Sequence, residues 1–300
     1  MAISYITTIS QFFKEPVFTK VCALTVTGLL SIASWSAPAH AQLTDSTITG
    51  TYMVKYNGLQ LGKLHFSSHI RGRSYKMESS TRLAVPLLSS LFNSLSWRGI
   101  TRVSGSIRNA QPRPSNYHFA FRSGKKSGTI DMQFSGNKIS HISRIPDKKL
   151  SSAYVPVSRT HLRGAMDPMS ALMLISRKGR SHRSACSRTI PIYDGKQRFN
   201  LKLSYKRSVR VNRHQSGGYS GPVIICRVKY QPISGYKAHK KDIKFMIKNR
   251  NIEMWLMPLP KSRNYAPYRF ILPLPVGTAD AYLTRFNIRN GRGRQIALVR

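Results

Sequence analysis

From Thr47 onward the chain is cut at short intervals by turn-forming pairs, and between them β-branched and aromatic residues alternate with polar ones. Residues 47–56 lead into Asn57-Gly58, residues 60–70 into Arg71-Gly72, and residues 74–83 into a break. Alternation with a period of two puts one set of side chains on each face, so each run is a strand with a face to bury. Further runs follow at 97–107, 116–122, 128–134 and 138–144, and then at 188–193, 197–205, 208–213, 222–230, 242–248, 252–257, 268–274 and 277–288. Two segments carry helical spacing instead. Pro86, Leu87, Leu88, Leu91, Phe92 and Leu95 fall in 84–95, and Asp167-Pro168 opens 169–177 as N-cap and first-turn residue. Little helix among so many strands predicts an all-β chain: a large curved antiparallel sheet or half-open barrel with one or two short helices. No internal repeat is evident, although two meanders joined by a helical break are compatible with two related halves.

An apolar run at 21–35, preceded by Lys14 and Lys20 against Glu15, leads into Ala39-His40-Ala41. The run is short for a bilayer span and ends in the small-x-small pattern of a signal-peptidase site. Residues 1–41 read as a cleavable signal peptide, and residues 42–300 as a single β-rich domain in the periplasm, with secretion as the further destination. An uncleaved membrane helix is the competing reading.

Export changes the meaning of the charge. The 49 Lys+Arg against 10 Asp+Glu give a formal net charge of +39, and the leader carries almost none of it. The basic residues are spread along the chain without zinc-finger spacing or an RNA-binding aromatic signature, so specific nucleic-acid binding is not expected. The polyanions of an envelope, from phospholipid head groups to acidic wall polymers, are the expected partners, with peripheral membrane contact. A merely solvated basic surface is the plain alternative.

Of three cysteines, Cys22 leaves with the leader. Cys186 and Cys226 remain as an even pair in an oxidising space, which predicts one disulfide stapling distant strands and contributing on the order of 3 to 4 kcal/mol. A two-cysteine metal site would need ligands at matching spacing, and His182 and His214 fit no such pattern. No metal and no cofactor are expected. His65 and His69 would share a face only as exposed strand residues. Catalytic signatures are also missing: acids are scarce, no Gly-x-Ser-x-Gly elbow occurs, and no His-Glu-x-x-His is present. The expectation is a protein that is not an enzyme.

The later half carries an ordered set of motifs: Asp167-Pro168, then Cys186, then Asp194-Gly195-Lys196-Gln197-Arg198-Phe199. Cys226, Ser234-Gly235-Tyr236, Trp255-Leu256 and Pro275-Val276-Gly277 follow. In this order the set resembles a family of exported bacterial proteins, domain of unknown function 3108, over roughly residues 45 to 290. The resemblance implies an all-β, curved or half-open barrel in the periplasm, and no established catalytic activity. The extreme basicity departs from the pattern.

Each motif also has a reading of its own. Asp194-Gly195 is a turn that an Asp194–Arg198 pair would pin, and Gly235 with Tyr236 is a bend at a strand end. Trp255, Tyr265, Tyr268 and Phe270 form an aromatic patch interrupted by Pro258, Pro260 and Pro267, which favour extended loops. With Lys261, Arg263 and Arg269 beside it, the patch reads either as core packing or as the mouth of an apolar pocket for an amphiphile with an anionic head. Two functions follow. One is a non-catalytic periplasmic envelope protein holding a lipid, glycolipid or similar amphiphile in its curled sheet. The other is an interaction or scaffold protein docking on anionic wall polymer or an envelope partner through its basic surface.

Overall fold

A computed structural model describes residues 45–84, 96–109, 111–147, 151–175, 182–212, 219–259 and 264–299. The expected leader and the expected helix at 84–95, apart from Ala84, lie outside these residues. Seven strands form the first meander: β1 (Asp45–Tyr56), β2 (Leu59–Arg71), β3 (Ser74–Ala84), β4 (Ser96–Arg108), β5 (Gln111–Ser123), β6 (Lys126–Ser135) and β7 (Lys138–Ile145). After a short β8 (Leu174–Ile175), the second comprises β9 (Arg188–Tyr193), β10 (Arg198–Val211), β11 (Gly221–Ser234), β12 (Ile252–Pro258), β13 (Asn264–Leu274), β14 (Gly277–Asn290) and β15 (Gln295–Val299). One α-helix, α1 (Lys241–Lys248), lies between β11 and β12.

The two meanders are one antiparallel sheet because β1 pairs with β14. The order runs β7-β6-β5-β4-β3-β2-β1-β14-β13-β12-β11-β10-β9, with β15 beside β14 and β8 beside β13. The expected curved all-β architecture is therefore present, as an open sheet and not a closed barrel. At the first hairpin Asn57 and Gly58 both have positive φ, as a tight primed turn requires. Asn57 Oδ1 accepts the Thr278 N–H at 2.8 Å, which ties this turn to the start of β14.

The register explains the burial. Ile70 stands opposite Tyr75, Met77 opposite Val103, Val103 opposite Tyr117, and Tyr117 opposite Met132, so one face of β2–β6 is a continuous apolar layer. A second cluster joins Ile192, Phe199, Val228, Met254 and Leu272 to Met246 of α1. A third lies where Ile48 of β1 and Leu283, Phe286 and Ile288 of β14 meet Val211, Val223 and Met257. Fully burying side chains of this size contributes about 1.5 to 3 kcal/mol each.

Three expectations are corrected. Residues 242–248 are the end of α1, not a strand, because Ile243 and Met246 are buried three positions apart, the helical spacing. In the described part of the expected helix at 169–177, residues 169–175, there is a single 3-10 turn, Ser170–Leu172, after which Leu174 pairs with Tyr265. Met169 and Ala171 enter different clusters, which one helical face could not serve. Two of the three prolines do not force loops: Pro258 ends β12 and Pro267 lies within β13, while Pro260 lies outside the described residues. Pro267 is tolerated because β14 pairing begins only at Arg269, so no β14 carbonyl needs its missing N–H.

Cys186 and Cys226 form the expected disulfide, with Cα atoms 5.3 Å apart and both side chains fully buried. It joins the 3-10 turn His182–Cys186, rather than another strand, to β11. Replacing Cys226 by Ser lowers stability by about 2 to 4 kcal/mol, read as a fall in the urea midpoint. An unchanged midpoint, or free thiols in the oxidised wild-type protein, contradicts this.

Candidate functional site

The motif residues of the later half converge on the segment that bridges the open edges of the sheet. Residues 151–172 run as a strap over the apolar face of β2–β6. Arg163 bridges to Lys138 of β7, and Met166 bridges to Ile192 of β9. The Gly164 N–H donates to the Asn137 carbonyl at 2.7 Å, the Met166 N–H to Pro191 at 3.0 Å, and the Tyr193 N–H to Met166 at 2.9 Å. The strap thus bonds to the turn that opens β7 and to the edge of β9, two strands that do not pair with each other.

Asp167, immediately before Pro168, fixes the turn of the strap. Its Oδ1 accepts the N–H groups of Met169 and Ser170 at 2.9 and 2.8 Å, while Ser170 Oγ meets the Tyr75 hydroxyl at 2.8 Å. Oδ2 is buried without a hydrogen-bond partner among the described residues, and burial pushes the carboxyl up to about 6. Asp194 Oδ1 accepts from Lys196 N and Gln197 N and closes the β9–β10 turn. The expected Asp194–Arg198 pair does not form: Arg198 donates to the carbonyls of His161 and Phe199 and to Asn200, locking strap to sheet. Gly195 lies against Ile130, and Gly235 against the Lys196 carbonyl, approaches that a Cβ would block. Val155 exchanges backbone hydrogen bonds with Gly235 and Tyr236. Beside them Lys196 and Lys237 lie 4.5 and 4.9 Å from the Tyr154 ring centre, and the hydrogen bond from Lys196 holds that phenol below its usual value.

The expected aromatic mouth is divided. Trp255, Tyr268 and Arg269 come together: the two rings are 6.4 Å apart, and Arg269 lies 5.4 Å over Trp255. Tyr265 belongs to the second cluster, and Phe270 packs against that cluster. Lys261 and Arg263 lie outside the described residues. Arg269 is held bidentately by Asp280, and Trp255 Nε1 donates to Glu253, itself paired with Lys206. This patch has satisfied its own charges.

The outward face of β1–β7 is different. Residues two apart on each strand face away from the Met77 layer and align in rows across the sheet. One row runs Thr49, Ser67, Glu78, Arg102, His118, Asp131, and its side chains are partnered: Glu78 pairs with Arg102 at 3.3 Å, and Asp131 bonds to His118 at 2.7 Å. Two open troughs, of about 890 and 550 Å³, meet along this row at Glu78 and Arg102. His65 and His69 are on the same face and bond to Thr51 and Thr47. Among the described residues no three His, Cys, Asp or Glu side chains gather as a metal site would require.

Two rows away, Lys63 stands opposite Arg82, Arg82 opposite Arg98, and Arg98 opposite Arg122. All four are exposed, and among the described residues none has an ion-pair partner. The described carboxylates are committed elsewhere. Besides those already placed, Asp45 holds Gly72 N, Asp147 pairs with Arg144, and Asp242, in the first turn of α1, accepts the Ile243 N–H. Like charges directly opposite across strands are destabilising, so this row costs stability. The sequence reading did not single out these four residues.

The chain belongs to the DUF3108 family, proteins of unknown function, whose model matches residues 51–284. In fold it is similar to a solved structure described as a beta-barrel-like protein of domain of unknown function DUF1849 from Brucella abortus. That likeness has 7% identity and a TM-score of 0.44, over 83% of this chain and 99% of that one. No curated protein matches the chain.

The buried Asp167 has a pH signature. An unfolded aspartate titrates near about 3.9. With the folded value raised to about 6, the folded state binds the proton more readily. Its contribution is therefore complete below about pH 4 and is lost as pH rises through about 6, a swing on the order of 3 kcal/mol. Asp167→Asn, which keeps the accepting oxygen, should gain on wild type by about this amount between pH 4 and pH 7 in urea unfolding. A difference between the two proteins that is flat with pH contradicts it.

Proposed function

We propose that this protein is a non-catalytic interaction protein of the bacterial envelope that docks on an anionic polymer through the outward face of its first meander. The observation that carries the reading is the uncompensated cationic row on that face, set beside a neighbouring row whose charges are paired. The inward face supports it from the other side. Tyr75, Met77 and Met132 are at most 2% exposed, and Ala165 and Met169 of the strap lie in the same cluster. The two concavities on the outward face are open troughs and not enclosed cavities. A surface of this kind attracts polyanions over a Debye length and loses them as salt rises.

A second reading, an amphiphile held by the curled sheet, draws on one feature. Trp97, Phe119 and Phe121 stack with centroids 6.4 and 5.8 Å apart on the inward face, folded over Gly99 and Gly128, and are only half-buried. An acyl chain or a lipid-linked glycan would find apolar surface there.

Binding to an immobilised acidic polysaccharide, measured from low to moderate salt, separates the two. Docking predicts saturable binding that weakens about tenfold or more over that range. Native mass spectrometry of detergent-free protein should then show no stoichiometric lipid. A co-purifying lipid with no polyanion binding establishes the second reading and removes the first.

A further inference from the structure

We infer that the row Lys63, Arg82, Arg98 and Arg122 is a track for a linear carboxylated polysaccharide lying across the strands, one acidic group to each cation. The inference rests on the docking reading above and specifies its site, its ligand class and the direction of the bound chain. Three observations carry it. The four residues face each other directly in register on β2, β3, β4 and β5, so the spacing between their roots is the strand separation, about 4.8 Å, and the track is about 14 Å long. A linear polymer with one carboxylate per sugar carries its charges in sequence along one chain, as the row carries its cations.

Among the described residues the row is also unpaired, while on the same strands Glu78 pairs with Arg102 and Asp131 bonds to His118. Four adjacent like charges are an arrangement that an anion relieves. Finally, the positions two residues along from the track are His65, Ser80, Ile100 and Ala120, with Ile100 44% exposed. They offer hydrogen-bonding and aliphatic surface to a sugar ring, and no Tyr, Trp or Phe on which a nucleobase could stack. The sheet twist of about 20 to 25° per strand means the bound chain must wind as it crosses, which glycosidic torsions permit.

The test uses the full-length protein and oligogalacturonates from dimer to octamer at fixed ionic strength, by calorimetry. Affinity should climb to the tetramer and then level, because a fifth carboxylate has no cation in the row. The double variant R82Q/R98Q should lose tetramer binding by about tenfold or more. A control pair on the same face, K76Q/R285Q, removes equal charge and should lose less than half of that on a logarithmic scale. The track variant should also raise the urea midpoint by relieving repulsion, which shows that it is folded and that the row is not there for stability. Affinity that keeps rising with length, or equal losses in the two variants, overturns the track and leaves general polyanion docking standing. No binding of any oligomer or of the parent polymer removes both. Tighter binding of a single-stranded oligonucleotide of equal charge overturns the ligand class.

Discussion

A sheet of thirteen consecutive neighbours has two edges, and an open edge exposes backbone donors and acceptors that invite pairing with other chains. Here the strap between β7 and β9 answers both edges at once. The Arg163–Met166 segment bonds to one edge on each side, and Tyr193, at the end of β9, joins the same cluster as Ile130 and Met132 of β6. The strap is also the lid of the first meander's apolar layer, through Ala165, Met169 and Leu162. Without it, the edge of β9 at Pro191–Tyr193 and the apolar layer under the strap would face water together.

This dependence explains why the motif residues are of such different kinds. Asp167 shapes the strap turn, Arg198 binds strap carbonyls, Gly195 and Gly235 admit close approach, and Tyr230 meets Gln197 beneath them. None of them needs a ligand to account for its chemistry. The buried, half-satisfied carboxyl of Asp167 is the one member that costs stability near neutral pH, and it does so while organising the turn that places Ser170 against Tyr75.

Much of this was legible in the sequence. Strand runs with period two, the Asn57-Gly58 turn and the cysteine pair each follow from local rules, and the structure shows them. The α1 segment was misread because eight residues with Phe245, Met246 and Ile247 in succession satisfy a strand pattern as well as a helical one. The 169–177 segment was misread because its pairing partner, Tyr265, is remote in sequence. The cationic row needed register. Lys63 opposite Arg82 follows from the tight β2–β3 turn, but Arg82 opposite Arg98 crosses a long connection. Arg98 opposite Arg122 depends on a bulge at Ser104/Gly105, which shifts every later pair by one residue. The aromatic patch looked like one site because its residues are close in sequence, whereas alternation and the bulge near Trp255/Leu256 send Tyr265 and Trp255 to opposite faces.

The distribution of charge is more informative than its sum. A net charge of +39 disfavours the compact state by self-repulsion, and a chain with ten acids has few means to offset it. The acids go to hairpin closure at Asp45 and Asp194, to the helix start at Asp242, and to partly buried pairs at Glu253 and Asp280. Two more compensate a row on the outward face of the first meander. Register would have allowed an acid opposite Arg82 or Arg98, where an ion pair would have replaced a repulsion at no cost in packing, since these side chains are exposed. A row of four cations on that face therefore cannot be explained by folding requirements. That is why the proposed docking of a polyanion is placed on this row.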